Sequence, residues 1–459
     1  MSTAFMWDTE VLHKYGTSGP RYTSYPTANL FRGDFGVSAY LEDLEQLRQR
    51  ITPVSLYLHI PFCQKACFYC GCNRTITRDR GKIAAYVDAL LLEIEQAAAI
   101  HGHRRVRQLH WGGGTPSYLE PAEITQLMHA ISSHFDMDGS SSRDYSIELD
   151  PRSIDESKLA LLKGLGFNRL SMGIQDFDSQ VQSAINRRQE FPMVERLTRA
   201  VRRFEFSSLN FDLIYGLPKQ TEQGISDTLD KVLELSPDRI ACYNYAHMPD
   251  RFPAQRAILA SDLPEPSERI DIYASIGERL TSAGYEHIGM DHFARKDDEL
   301  CKAAREGSLQ RNFQGYSRAL AEDLVGLGAS SISQVGDFYV QNERDPEAYV
   351  SMMEQGSLPI IRGIRLSEED KLRRYVIQTL ICRLRLDKRA VNRAFSIDFN
   401  RYFSGQLQQL KKFEEDGLVE LGDTQIRITE AGRLVLRNIC MLFDQHLGES
   451  SAVRFSKTI

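Results

Sequence analysis

Val54-Ser-Leu-Tyr57-Leu-His-Ile60-Pro-Phe-Cys63-Gln-Lys-Ala-Cys67-Phe-Tyr-Cys70-Gly-Cys72 is the stretch on which the fold turns. An apolar run up to Ile60, closed by Pro61, reads as a buried strand. Five more such runs follow at Val106–Trp111, Tyr145–Asp150, Arg169–Gln175, Leu209–Leu217 and Arg239–Tyr245. Between them lie stretches of helical periodicity: Lys82–Ile100, Pro121–Phe135 and Pro192–Phe204. In the first, Ala85, Val87, Leu90, Leu91, Ile94 and Ala98 fall near one stripe. Strand alternating with helix at about thirty residues per unit predicts right-handed parallel βαβ units.

Six such units predict an α/β fold built on an open, parallel (β/α)6 barrel, a partial relative of the eight-stranded one. The strand ends carry the deciding signal: His59 to Cys63, Gly112-Gly-Gly-Thr115, Glu148-Leu-Asp150, Gln175-Asp176, Asp212 within its strand, and Tyr245-Ala-His247. In barrels the site is built at the carboxyl ends of the strands, so six polar endings in succession predict one shared cavity.

From about residue 250 the pattern changes: four prolines (249, 253, 264 and 266) mark a linker-like segment, followed by a helix from Ser267 and a strand at Glu286–Met290. Residues 308–337 are glycine-rich and aromatic, which reads as a loop packed on the site. From Leu366 the chain reads as mostly helical, with a hairpin at Leu418–Thr429 and a helix from Ala431, a winged-helix-like pattern. The expected division is an N-terminal arm (1–47), the barrel (48–285), late loops and connection over the site (286–365) and a helical C-terminal domain (366–459).

Composition narrows the function. The 459 residues hold 56 Lys+Arg against 62 Asp+Glu, which argues against a general nucleic-acid binder. The winged-helix-like region, with 16 basic and 13 acidic residues, lacks the surplus of a phosphate-binding face. No apolar run approaches the roughly eighteen residues of a membrane span. The first sixteen residues mix charged with apolar positions, unlike a signal peptide. A cytoplasmic address, with neither membrane nor nucleic acid as partner, is therefore expected. Eight cysteines are too few for a disulfide scaffold, and four of them crowd into ten positions, which points to metal.

A C-x3-C-x2-C loop can wrap three thiolates around one corner of a cubic iron–sulfur cluster and leave the fourth iron open. An all-cysteine zinc site is the alternative, although zinc ligands usually come as two separated pairs. Gly112-Gly-Gly-Thr115 is either a plain turn or a place where backbone approaches a ligand closely. It is not a Walker loop, because no Gly-Lys-Ser/Thr follows.

This cysteine loop after a first strand, with Gly112-Gly-Gly-Thr-Pro116 after a second, resembles the radical S-adenosylmethionine enzymes. Longer motifs narrow the resemblance: Ser18-Gly-Pro-Arg-Tyr-Thr-Ser-Tyr-Pro-Thr27, Tyr57 to Cys63, Cys70-Gly-Cys-Asn73 and Leu109-His-Trp-Gly-Gly-Gly-Thr-Pro116. Phe211-Asp-Leu-Ile-Tyr-Gly-Leu-Pro218, Gly289-Met-Asp-His-Phe-Ala-Arg295 and Arg311-Asn-Phe-Gln-Gly-Tyr316 extend it across essentially the whole chain. Together they resemble the oxygen-independent coproporphyrinogen III oxidases, with Tyr69 standing where that family often has Phe.

The resemblance implies a reaction: two propionates of coproporphyrinogen III become vinyl groups by loss of CO2, giving protoporphyrinogen IX. A 5′-deoxyadenosyl radical, made from S-adenosylmethionine at a reduced 4Fe–4S cluster, starts it. It implies one cluster per chain on Cys63, Cys67 and Cys70, and a first S-adenosylmethionine against Tyr57, Gly113, Gly114, Thr115 and Glu148. It further implies a second S-adenosylmethionine near Tyr69, Gln175, Arg187, Asp212, Ala246, Gln314 and Ile332. Cys72 is implied in substrate handling or hydrogen transfer. Four substrate carboxylates call for cations, for which Arg21 and Arg311 are the candidates. Tyr22, Tyr25, Phe313 and Tyr316 would close over the macrocycle, making the arm a lid. An electron donor and an electron acceptor are required, neither identified by sequence, and a monomer is the working expectation. Cys242, Cys301, Cys382 and Cys440 read as core thiols. A related haem chaperone is the alternative, but such relatives lack the long arm and the Cys-Gly-Cys-Asn step.

Overall fold

The computed structural model describes residues 9–35, 37–47, 51–447 and 457. The first eight residues of the arm, the expected arm–barrel boundary at 48–50 and most of the tail after 447 lie outside the described residues. All six apolar runs are strands: β1 (Val54–Ile60), β2 (Arg105–Gly113), β3 (Asp144–Leu149), β4 (Arg169–Gln175), β5 (Ser208–Tyr215) and β6 (Arg239–Asn244). Each pairs in parallel with the next. In β1 every residue but Tyr57 is buried, as in a strand covered on both faces. The expected helices span Arg80–His101, Pro121–His134 and Phe191–Arg203. The first begins where Asp79 caps the N–H groups of Gly81 and Lys82, and stops at Gly102, whose φ is 75°.

Instead of closing, the barrel is extended at both edges. Beyond β6 lie the antiparallel β7 (Tyr285–Gly289) and β8 (His292–Arg295), with β8 paired to β6. A separate hairpin follows, β9 (Leu309–Asn312) with β10 (Gly315–Arg318). At the other edge β11 (Asp323–Leu327) runs parallel to β1. It is followed by antiparallel β12 (Ile332–Val335), β13 (Phe338–Asn342) and β14 (Ile360–Arg365).

These strands correct the reading of residues 308–337 as a loop. β11 is buried along its whole length. A Cβ at Gly326 would stand 2.7 Å from the Ile332 carbonyl oxygen, so this glycine marks a close backbone approach between strands.

The C-terminal region packs helices Glu368–Arg383, Lys388–Phe395 and Ser404–Glu415 with β15 (Arg385–Asp387), β16 (Val419–Leu421) and β17 (Gln425–Ile428). β17 lies between the other two strands. One apolar core runs continuously from Leu56 and Phe211 through Leu380 and Phe413 to Leu12 and Tyr25 of the arm.

The arm is tied to the C-terminal region. Arg437 donates to the Pro20 carbonyl at 3.0 Å and also to that of Gly19. Tyr22 donates to Asp444 at 3.0 Å, and the Tyr25 hydroxyl accepts from the Gln445 N–H at 3.1 Å. Tyr22 and Tyr25 are thus buried in the C-terminal region, not presented to a macrocycle. Their hydroxyls found buried polar partners there, which a local motif cannot reveal.

Candidate active site

The strands surround a cavity of about 530 Å³ that reaches from the four clustered cysteines to the amino ends of β3 and β4. The cysteine loop is fixed on several sides. Phe62–Cys63 pairs with Thr75–Ile76. Phe68 N–H donates to the Ile185 carbonyl at 3.0 Å, and Asn186 Nδ2 donates to Ala66 at 2.8 Å. Phe68 and Tyr69 join a second apolar cluster with Val181, Ile185, Leu217 and Tyr245, separate from the main core. Buried Gln255 links this loop to the one after β6. Its Nε2 donates to the carbonyls of Tyr69 at 3.0 Å and Ala246 at 3.1 Å, and its Oε1 accepts from Met248 N–H at 2.6 Å.

Cations surround the thiols. Arg187 and Arg152 lie 3.5 and 3.6 Å from Cys67 Sγ, and both also bind Asp150, at 3.1 and 2.6 Å. Burial alone would raise the Asp150 pKa, but Arg187 and Arg152 hold it down at about 2. Arg187 is buried. The Cys72 thiol and then Arg74 bring Cys70 down to about 6, whereas burial pushes Cys63 up to about 11. Hydrogen bonding to Cys70 and the charge there raise Cys72 well above the ordinary thiol. Among the described residues no three metal-ligating side chains close on a single ion.

Each glycine of the Gly112–Gly114 turn is demanded by the chain itself. A Cβ would lie 3.0 Å from Glu148 Oε1 at Gly112, 2.6 Å from the His59 ring at Gly113 and 2.7 Å from the Pro61 backbone at Gly114. Gly114 N–H donates to Ile60 at 2.8 Å and Thr115 N–H to Phe62 at 2.9 Å, so the turn docks onto the end of β1. Thr115 Oγ1 then stands 3.2 Å from Cys63 Sγ.

The barrel interior is polar where many barrels pack branched side chains. Glu148 accepts from Gly113 N–H at 3.1 Å and lies 3.4 Å from His110 Nε2. His110 Nδ1 is 2.7 Å from Ser146 Oγ, and its ring stacks on Tyr57 at 5.8 Å. Ser171 and Asn210 donate to Asp212 at 2.7 and 2.9 Å; burial pushes Asp212 up to about 6. Gln175 closes β4 with a φ of 66°, a conformation that costs a non-glycine residue energy and concentrates at functional sites.

Of the residues assigned to cluster, cofactor, hydrogen transfer or substrate carboxylates by sequence, all but Tyr57, Ala246, Ile332, Arg21 and Arg311 line the cavity; of the four aromatic residues expected over the macrocycle, only Tyr316 does. Tyr57 stands behind His110, and the Ala246 carbonyl is held by Gln255. Ile332 packs, as Phe313 does, against the cluster of Phe31, Tyr339 and Leu366. Arg21 donates to the Asn244 carbonyl at 3.3 Å. Arg311 is buried with its guanidinium 4.8 Å over the Tyr316 ring, and its Nε and Nη1 have no partner among the described residues. Lining residues that the sequence reading left unassigned include Arg74, His110, Arg152, Tyr243 and His292. Asp150 carried a signal as part of a polar strand end, and His110 and His292 lie inside quoted motifs without having been given a role.

A three-cysteine loop after the first strand of an open parallel barrel, facing a glycine turn after the second, defines a radical S-adenosylmethionine enzyme. The Radical SAM superfamily profile matches residues 57–232, and that of the HemN C-terminal domain matches residues 366–435. A Pseudomonas aeruginosa protein described as oxygen-independent coproporphyrinogen III oxidase is 46% identical over 460 residues, covering all of both chains. A Salmonella typhimurium protein of the same description is 47% identical over 99% of this chain and 98% of its own. The solved structure of coproporphyrinogen III oxidase from Escherichia coli, described as a radical SAM enzyme, is 46% identical. It superposes with a TM-score of 0.91 over 96% of this chain and all of that one. The chain belongs to the oxygen-independent coproporphyrinogen III oxidase family.

Proposed function

We propose that this chain oxidatively decarboxylates two propionate side chains of coproporphyrinogen III to vinyl groups, giving protoporphyrinogen IX in haem biosynthesis without oxygen. One observation carries the reading. The three-cysteine loop, the Gly112–Thr115 turn and Glu148 share one cavity in a chain 46% identical, end to end, to an enzyme of that description.

Cys63, Cys67 and Cys70 would hold the 4Fe–4S cluster. Three thiols from one loop, with Arg74, Arg152 and Arg187 beside them, suit an assembly of thiolates. With S-adenosylmethionine bound, such a cluster supplies a carbon-centred radical able to take hydrogen from an unactivated propionate β-carbon, which no side chain can do. The remaining tasks are positioning and exclusion of water. Glu148, fixed by Gly113 N–H and His110, would accept from the ribose hydroxyls of the first S-adenosylmethionine, which Tyr57, Gly113, Gly114 and Thr115 would help to hold.

A second S-adenosylmethionine would lie against Tyr69, Gln175, Arg187, Asp212, Ala246, Gln314 and Ile332. The strained Gln175 and the common tether of Tyr69 and Ala246 to Gln255 support that seat. Cys72, two residues past the last ligand, is the candidate for hydrogen transfer. Arg311, with two bare N–H groups, and Arg21 are candidates for the propionates. No general base is needed, because CO2 and an electron leave. An electron donor and acceptor are required. The cytoplasm, a monomer and the four-part division of the chain complete the proposal; no helix among the described residues is long and apolar enough to cross a membrane.

The test is anaerobic incubation of reconstituted protein with S-adenosylmethionine, a chemical reductant and coproporphyrinogen III. Protoporphyrin after oxidation, together with 5′-deoxyadenosine, is the expected result. An intact cluster that binds haem and yields no vinyl product would overturn the reading in favour of a chaperone. Equilibrium dialysis with S-adenosylmethionine distinguishes two cofactor seats from one.

A further inference from the structure

Three arginines outside the assigned site gather beside the cysteine loop. Phe252 packs on Gly71, where a Cβ would stand 3.1 Å from the Phe252 ring, and neighbouring Arg251 lies 5.5 Å over that ring. Asn73, the residue after Cys72, donates its Nδ2 to the Arg344 carbonyl at 2.9 Å. Arg362, on β14, donates Nε to Gln341 at 2.6 Å and lies 5.9 Å over Phe31. Gln341 pairs across the strands with both Arg362 and Ile332, so Arg362 sits in the same row as a proposed cofactor contact.

These guanidiniums have no ion pair among the described residues, and the charges of Arg344 and Arg251 both act on half-buried Arg362. The nearby carboxylates are engaged elsewhere. Glu343 accepts from the N–H groups of Arg344 and Asp345, while Asp345 caps the helix Pro346–Glu354. Like charges gathered without counter-ions oppose the folded state, and a bound polyanion relieves that repulsion. The setting favours a small flat polyanion over an acidic protein surface. Arg251 and Arg344, both exposed, lie beside the Gly71–Asn73 step, Arg362 is half-buried, and half-buried Phe252 and Phe313 supply apolar faces nearby.

We infer that Arg251, Arg344 and Arg362 bind propionate carboxylates of the tetrapyrrole and hold it over the Gly71–Asn73 step. This rests on the proposed function and names specificity residues for that same site.

The test uses the reconstituted full chain with Arg344→Gln, Arg362→Gln and the double variant, driven by a chemical reductant. Two quantities are measured: KM for coproporphyrinogen III and, by fluorescence quenching, the Kd for unreactive coproporphyrin III. Each single substitution should raise both by about tenfold, the scale of one charge-assisted contact, with the double variant weaker still. Iron content, S-adenosylmethionine binding and kcat should stay within about twofold of the parent, since the lost contacts are to substrate. Unchanged KM and Kd would overturn the inference. So would a defect seen only when a reducing protein replaces the chemical reductant, because the patch would then be a donor-docking surface. If the parent binds coproporphyrin but fails to decarboxylate coproporphyrinogen, the proposed reaction fails, while the Kd comparison still decides the arginines.

Discussion

Along the amino-terminal rim of the barrel, buried and half-buried arginines meet carboxylates supplied by the fold. Arg104 binds Asp323 at 2.7 Å and Arg239 binds Asp298 at 3.0 Å. Arg169 binds Asp144 at 3.0 Å as well as Glu299, which Arg318 also reaches at 3.3 Å. Around the carboxyl-terminal rim, the guanidiniums of Arg251, Arg344 and Arg362 meet no carboxylate among the described residues, and Arg311 keeps two buried N–H groups bare. Arg152 and Arg187 lie between these extremes, sharing Asp150 while facing a cysteine sulfur. A charge neutralised by its own chain closes the fold. A charge left unneutralised is available to a ligand.

The comparison is broken most severely at the thiols. Cys63→Ala should lower activity at least about a thousandfold, because the group that carries the hard step is lost. Iron and labile-sulfide content would fall with it. Circular dichroism should show an intact fold, since Phe68, Tyr69 and Gln255 hold the loop through contacts that do not involve Cys63. Loss of folded structure would mean that the loop depends on its metal.

Cys72→Ser separates the cluster from the chemistry beside it. Iron and sulfide should match the parent, while vinyl product falls about a hundredfold, the scale of losing one positioned hydrogen-transfer group. Measuring 5′-deoxyadenosine alongside shows whether cofactor cleavage continues without decarboxylation. Full product formation would sink the role given to Cys72.

At the opposite rim the effect should appear in stability instead. Arg104 and Asp323 are 3% and 2% exposed, and Arg104 also donates to Thr52 and Pro53. Arg104→Met takes the cation away from a buried carboxylate that keeps only neutral donors such as Gly336 N–H, and should cost about 3–5 kcal/mol. Replacing both partners, Arg104→Met with Asp323→Leu, should recover much of the loss. KM of the folded fraction should not change in either variant. A rise in KM would mean that the two rims are coupled.

The same distinction sets what the sequence could reveal. β1 to β6 were legible because each is a short apolar run, with helical periodicity between most of them, and the polar strand ends marked the cavity. β11 was not legible. Asp323-Leu-Val-Gly-Leu327 looks like a loop until Gly326 is seen to admit the Ile332 backbone. The docking of Tyr22 and Tyr25 depends on partners more than four hundred positions away, for which local pattern has no signal. Cys63, Cys67 and Cys70 announce themselves by spacing. Arg344 and Arg362 do not, because an unpaired arginine is defined by neighbours that only folding brings together.

Glu93 extends the contrast to a carboxylate. It is buried on the helix Arg80–His101 and accepts from Gly328 N–H, Tyr349 Oη and Asn342 Nδ2, each at 2.6 Å. No cation pairs with it among the described residues, and burial pushes its pKa up to about 7 despite those hydrogen bonds. The folded state therefore holds this proton more tightly than the unfolded chain does. Its contribution is fully present below pH 4.5 and is lost as pH rises towards about 7, a change of about 3 kcal/mol. Glu93→Gln removes the titration. The stability difference between parent and variant, followed by denaturant unfolding, should shift against the parent across that window and flatten above it. The shape of the curve is the test, because the substitution also changes the acceptor set by a constant amount. Parallel curves would show Glu93 already ionised at low pH, stabilised by a charge outside its hydrogen-bonded neighbours. An unneutralised group at this end of the barrel would then no longer imply an unmet partner.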